Sequence, residues 1–169
     1  YSEPFGYSAV EMVDMGLPIV VSNGTAYLIL DDFMRTALCN AAKRGVDVRI
    51  VTPGIPDKKM VFRLTRSNYA PLMKSGVKIY EYTPGFIHAK SMVCDDEAAV
   101  VGTINLDYRS LYLHFENAVY FSHCDAVAAV KQDGEDVFAV SKRMTIEDTR
   151  QTFIGKLVDS VLRVFETLL

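Results

Sequence analysis

The chain has 169 residues, of which 50% are hydrophobic and 23% charged, with a formal net charge of -3 at neutral pH; this is enough chain for one domain with a real core and the wrong balance for a disordered segment. The acidic balance argues against a general nucleic-acid coat but is compatible with a local basic face. No run of about 18 apolar residues is present and the opening YSEPFGYS lacks a basic n-region, so the piece is expected neither to span a membrane nor to carry an export signal.

Along the chain, LPIVVS (17–22) reads as a short strand closed by Asn23-Gly24. Asp31-Asp32 then cap a helix through FMRTALCNAAKRG, with Gly45 as its stop. VDVRIVTP is a strand with Val46, Val48 and Ile50 alternating against Asp47 and Arg49. Pro56-Asp57 open a second helix, roughly 57–75, ended by Gly76. It carries Lys59, Arg63 and Arg66 in one arc, with Val61, Leu64 and Asn68 opposite, and the basic stripe is either a solvated face or a hold for anionic lipid headgroups. VKIYEY follows as a strand, His88–Cys94 and Ala98–Gly102 form two more around the turn Asp95-Asp96-Glu97, and NAVYFS is another. Helices near 123–140 and 146–168 finish the chain, the second with a stripe of Phe153, Leu157, Val161, Val164 and Leu168. The order is βαβαβββ followed by helices, a single α/β domain. Cys39, Cys94 and Cys124 have no metal-ligand spacing and read as buried thiols of a reducing compartment.

The chemistry concentrates in FIHAKSMVCDDEAAVVGTINLDYRS, residues 86–110. On a strand, His88 and Lys90 share a face, so an imidazole and an ammonium can meet one phosphate together. Asp95 lies at a hairpin turn and at an odd offset from His88, which suits shaping the turn rather than touching substrate.

His-x-Lys, four residues, Asp95, six residues, then Gly102-Thr103-x-Asn105 has the spacing of the phospholipase D superfamily signature, and the sequence resembles that superfamily. Within it, AAKRGVDVRIVTPGIPDKK, GVKIYEYTPGFIHAK and VGTINLDYRSLYLHFE look like the C-terminal half of bacterial cardiolipin synthases, over about residues 25–169. The resemblance implies a mixed sheet flanked by helices, one of the two halves of a pseudo-twofold fold. It implies phosphatidyl transfer between two phosphatidylglycerol molecules, giving cardiolipin and glycerol through a phosphohistidine, without metal or other cofactor. His88, Lys90 and Asp95 are then the catalytic set of this half, with His88 as nucleophile or general acid. Lys90, Thr103 and Asn105 meet the phosphate oxygens. Glu116 accepts from the His88 imidazole, and Asp107 and Arg109 form a buried support pair. The implied partners are anionic phospholipid, a membrane surface and a second motif, with no nucleic acid; the implied location is the cell membrane, reached through parts of a longer protein.

Two features depart from that pattern. The family carries the motif twice, whereas His114 and His123 lack the following x-Lys and the Gly-Thr-x-Asn tail, so the chain is either one half of a longer protein or pairs with an identical copy. Residues 1–24 are atypical: Glu3 in EPFG, Glu11 and GLPIVVSN resemble the nucleotide-sugar motif of retaining glycosyltransferases, although so short a segment holds no such domain. A hydrolase or nuclease using the same residues, with water as acceptor, is the nearest alternative activity. A non-catalytic phosphate-binding or dimerisation module is the alternative of another class.

Overall fold

The computed structural model describes residues 19–23, 32–55 and 59–164. The readings of Glu3 and Glu11, and of Asp31 as a cap, lie outside those residues. The described strands are β1 (Ile19–Asn23), β2 (Arg49–Pro53), β3 (Lys78–Tyr82), β4 (Lys90–Cys94), β5 (Ala98–Gly102), β6 (Ala118–Ser122) and β7 (Ser141–Arg143). The helices are α1 (Asp32–Lys43), α2 (Lys59–Ser67), α3 (Tyr69–Lys74), α4 (Tyr108–Tyr112), α5 (Asp125–Ala139) and α6 (Phe153–Val164), with a 3-10 turn at Glu147–Thr149.

The strands form one mixed sheet in the order β6-β5-β4-β1-β2-β3-β7. β1, β2 and β3 run parallel, as the helical crossovers between β2 and β3 require, and the remaining pairs are antiparallel. Helices cover both faces, which explains why β2 is buried along almost its whole length instead of alternating. On one face Met34, Leu38 and Ala41 of α1 and Tyr69 and Leu72 of α3 pack on Ile50, Ile79, Cys94 and Ala98. On the other, Val127 of α5 packs on Val93 and Ala99. Phe138 of α5 meets the Tyr80 ring edge-on at 4.8 Å, and Glu135 takes both oxygens to Arg49 Nη1 at 3.0 and 3.1 Å, so an aromatic contact and an ion pair pin that helix across β2 and β3.

The expected elements change at several places, and the short helix α4 is one that the sequence pattern does not announce. The 57–75 helix is two helices broken at Asn68, because Pro71 has no N–H to give to the carbonyl of residue 67 and its ring crowds that carbonyl. β4 begins at Lys90, so His88 precedes the strand instead of lying within it. The segment between the last helices contains β7, whose SKR has no apolar alternation to announce it and which pairs along the β3 edge. Of the apolar stripe in the last helix, Leu157 is 59% exposed. Cys94 is buried, and burial pushes its thiol up to about 12, but Cys39 is only half-buried and Cys124 is exposed just before α5, so the three are not a buried set.

Candidate active site

Register decides which residues of the motif meet. Lys90 pairs with Asn23 on one side and Gly102 on the other, and Gly102 pairs with Ala118. The carboxyl ends of β1 and β5 and the amino ends of β4 and β6 therefore share one end of the sheet. His88 and Lys90, Thr103 and Asn105, and Glu116 are all delivered there by chain that has just entered or left a strand.

Lys90 is 9% exposed while His88 is exposed. The Lys90 ammonium lies 2.8 Å from His88 Nδ1, 3.0 Å from Nε2, and donates to the His88 carbonyl at 2.8 Å. The two ring nitrogens flank one carbon and their lone pairs diverge, so an atom this close to both sits over the ring face and not in its plane. The in-plane lone pair of a neutral imidazole thus stays open on the exposed side while a cation rests against the ring. Phe86 stacks on the same imidazole, with ring centroids 5.9 Å apart and planes 17° from parallel. Burial lowers the Lys90 pKa from its ordinary value, and the Glu116 carboxylate opposes that shift.

Thr103 and Glu116 occupy places other than those expected. The Thr103 hydroxyl donates to Glu116 Oε2 and accepts from the Asn117 N–H at 3.0 Å, so its proton is committed within the protein. Glu116 Oε1 lies 3.9 Å from His114 Nδ1. Glu116, expected to accept from the His88 imidazole, accepts instead from the Thr103 hydroxyl, because the Thr103 N–H to Asn117 carbonyl bond at 2.9 Å seats the two chains side by side beyond the β5–β6 ladder. Asn105 keeps a buried Oδ1 with no hydrogen-bond partner, which leaves one end of its amide for a ligand or for rearrangement.

Asp107 is the N-cap of α4: its Oδ1 accepts from the Ser110 N–H at 2.7 Å. Burial raises its pKa, against the pull of the Ser110 N–H and of His114. Arg109 Nη2 reaches His114 Nε2 at 3.5 Å. His114 thus stands between Arg109 and Glu116 and joins the site, although no motif spacing marks it. The signal was the i, i+2 spacing of His114 and Glu116, which puts both on one side of extended chain.

Asp95 stands at the other end of β4, five residues or roughly 16 Å of strand from Lys90. It takes φ 51° in the turn before β5, a conformation that Asp tolerates better than most residues, and burial together with Glu97 and Asp96 raises its pKa. Its place in the structure is that of a turn former and not of a group touching phosphate at His88. His123 is at that far end as well, its N–H donating to the Glu97 carbonyl.

The basic arc of α2 is likewise partly occupied. Arg63 Nε pairs with Asp159 Oδ1 at 2.6 Å and Arg66 Nε with Glu81 Oε1 at 3.0 Å, both carboxylates being buried, while Val61, Leu64 and Asn68 are buried on the opposite side as expected. Among the described residues no three His, Cys, Asp or Glu side chains group closely enough to hold a metal ion, and no helix is long and apolar enough to cross a membrane.

Comparison with known proteins bears on the family and the fold. The family model described as cardiolipin synthase, PLD-like domain matches residues 21–137. A Streptococcus mutans protein of unassigned function is 50% identical over 146 residues, covering 86% of this chain and 32% of that protein. A cardiolipin synthase of Geobacillus sp. is 40% identical over 144 residues, covering 85% of this chain and 29% of its own length. The chain therefore spans about a third of these curated relatives. Among solved structures, the phospholipase D family member Nuc from Salmonella typhimurium superposes with a TM-score of 0.69 at 19% identity, over 82% of this chain and 90% of that one, a likeness of fold. A histidine and lysine delivered together at the end of such a sheet, and a family match over residues 21–137, place the chain in the cardiolipin synthase, phospholipase D-like domain family.

Proposed function

We propose that the chain supplies one of two half-sites for phosphatidyl transfer between phosphatidylglycerol molecules. The observation that carries this reading is the exposed His88 imidazole with the Lys90 ammonium against its face. A ring nitrogen of His88 attacks phosphorus, the P–N bond forms as the P–O bond to glycerol breaks, and a second histidine gives its proton to the leaving alkoxide. The hydroxyl of another phosphatidylglycerol then gives its proton back to the second histidine, attacks the phosphohistidine and displaces the ring nitrogen, which restores both histidines. Lys90 offsets the charge on the non-bridging oxygens, and the Asn105 amide adds a neutral dipole.

The second histidine comes from another motif-bearing half, in the longer protein or in a second copy. Tyr108, Tyr112, Leu113 and Phe115 are 41%, 52%, 61% and 108% exposed, and they lie on α4 and on the segment leading to Glu116. They form an apolar border beside the site of the kind a second half would cover.

The test is His88→Ala in the complete protein that contains this chain, assayed on phosphatidylglycerol vesicles for cardiolipin and glycerol. Turnover is expected to fall by at least about a thousandfold, the range for removing a nucleophile or general acid, with the fold retained because His88 is exposed. A variant keeping a tenth or so of the wild-type rate overturns the assignment. Release of phosphatidic acid in place of cardiolipin by the wild type would assign water as acceptor and overturn the transferase reading.

A further inference from the structure

A second polar site lies toward the other edge of the sheet. Two adjoining hollows of about 210 and 390 Å³ open between α2, the 3-10 turn and the start of α6, and both are lined by Arg66, Thr149 and Gln151. The larger fits the usual size of a small-molecule cleft. Arg63 and Arg150 line the larger hollow and Asp159 the smaller.

Two observations point to a ligand. First, three guanidinium groups face one cleft, and two of them are held in place from behind. Arg66 is tied through Nε to Glu81, and Arg63 through Nε to Asp159 and through Nη2 to the Gly155 carbonyl at 2.9 Å. A guanidinium has five N–H donors, so these bonds fix the planes without using them up, and 37% and 42% of the two side chains stays exposed. Such forks fit the oxygens of a phosphate. The start of α6, where the Gly155 N–H donates to Thr152 Oγ1, adds the positive end of a helix dipole. Second, Asp159 is 5% exposed, yet its Oδ2 has no hydrogen-bond partner. A buried carboxylate oxygen left in that state calls for a donor, and a phosphate has none to give when ionised.

We infer that this cleft binds a phosphorylated polyol, with the phosphate on the arginine forks and a neighbouring hydroxyl directed to Asp159. Internal carboxylates balance Arg63 and Arg66, and Asp148, which also lines the larger hollow, is paired with Lys142 at 2.9 Å, so the surplus charge is that of Arg150 and recognition rests on the geometry of the forks. Glu81 lies near the carboxyl end of β3, so the cleft shares the sheet end that carries His88, and β1 and β2 separate β3 from β4. That spacing is three strand widths, or about 14 Å. The site is separate from His88 and does not depend on the transfer reaction proposed there.

The experiment titrates the chain with glycerol 3-phosphate, inorganic phosphate and glycerol by NMR and calorimetry, in wild type, Arg150→Ala, Gln151→Ala and His88→Ala. Glycerol 3-phosphate is expected to bind about tenfold tighter than inorganic phosphate, the worth of one hydrogen bond to a charged group. Arg150→Ala, an exposed substitution, is expected to weaken it by a similar factor, and His88→Ala to leave it unchanged. Pelleting with phosphatidylglycerol vesicles but not with phosphatidylcholine vesicles, reduced in Arg150→Ala, would assign the headgroup of a lipid. Binding of the soluble compound without pelleting would assign a free phosphorylated polyol. Equal affinity for phosphate and glycerol 3-phosphate, insensitivity to Arg150→Ala, or loss of binding in His88→Ala overturns the site.

Discussion

Gly102 stands where β5 hands over to Thr103, and its replacement by Ala tests how the site is held. A Cβ on Gly102 would lie 2.3 Å from the Asn117 carbonyl oxygen, 2.5 Å from Ala118 Cβ and 2.6 Å from Ala118 Cα, all below any normal contact. Two of these atoms are backbone and cannot swing aside, and Asn117 is held on both sides by Thr103, through the Thr103 N–H at 2.9 Å and the Thr103 hydroxyl at 3.0 Å. The substitution therefore has to push β6 away from β5. Overpacking of this kind costs about 1–3 kcal/mol, and contact with fixed backbone puts Gly102→Ala at the top of that range. At about 2–4 °C per kcal/mol for a domain of this size, the melting temperature followed by circular dichroism is expected to fall by about 6–12 °C. The same displacement moves Glu116 from Thr103 and with it the charge beside Lys90, so activity of the complete protein should fall below what partial unfolding explains. A variant melting within about 2 °C of wild type would refute the close approach of the two strands.

Two further outcomes follow from buried charge. Arg66→Ala leaves the Glu81 carboxylate buried at 6% exposure without its cation; because Arg66 is itself over a third exposed, the loss at neutral pH is taken at the low end for a broken buried pair, about 3 kcal/mol. Burial already holds Glu81 above its ordinary pKa, with Arg66 as the main opposing influence, so without Arg66 the folded state retains a proton that the unfolded state gives up. The stability tied to neutral Glu81 is then fully present below about pH 4.5 and lost as pH rises through its folded pKa, so denaturant titrations should show a larger deficit at pH 7 than at pH 4, and an equal deficit at both would refute the pairing. For Lys90, burial lowers the pKa, so the ammonium needed for phosphate is lost at lower pH than for an ordinary lysine. The alkaline limb of kcat/KM should move to higher pH in Lys90→Arg, and an unmoved limb would mean that another group sets it.

The local elements and the chemistry they carry were legible along the chain. The β-branched runs 46–53 and 77–82, Gly45 and Gly76 at positive φ after their helices, and the Asp95 turn are each set by a few neighbouring residues, and the structure keeps them. His88 and Lys90 were legible as a pair because two positions along extended chain share a side, which holds even though His88 lies just outside the strand. Tertiary structure decided what those side chains touch. Glu116 takes the Thr103 hydroxyl, and Arg63 and Arg66 turn to Asp159 and Glu81, since each of these partners is brought up by a separate stretch of chain, while His114 enters the site beside Arg109 from only five residues on. The strand order and the Lys90–Gly102–Ala118 register fixed those meetings, and β7 became a strand because the open edge of β3 offered it hydrogen bonds that its own residues do not signal. Local pattern is written in spacing along the chain, whereas a partner across a sheet or between helices is chosen by packing, in which every element of the core takes part.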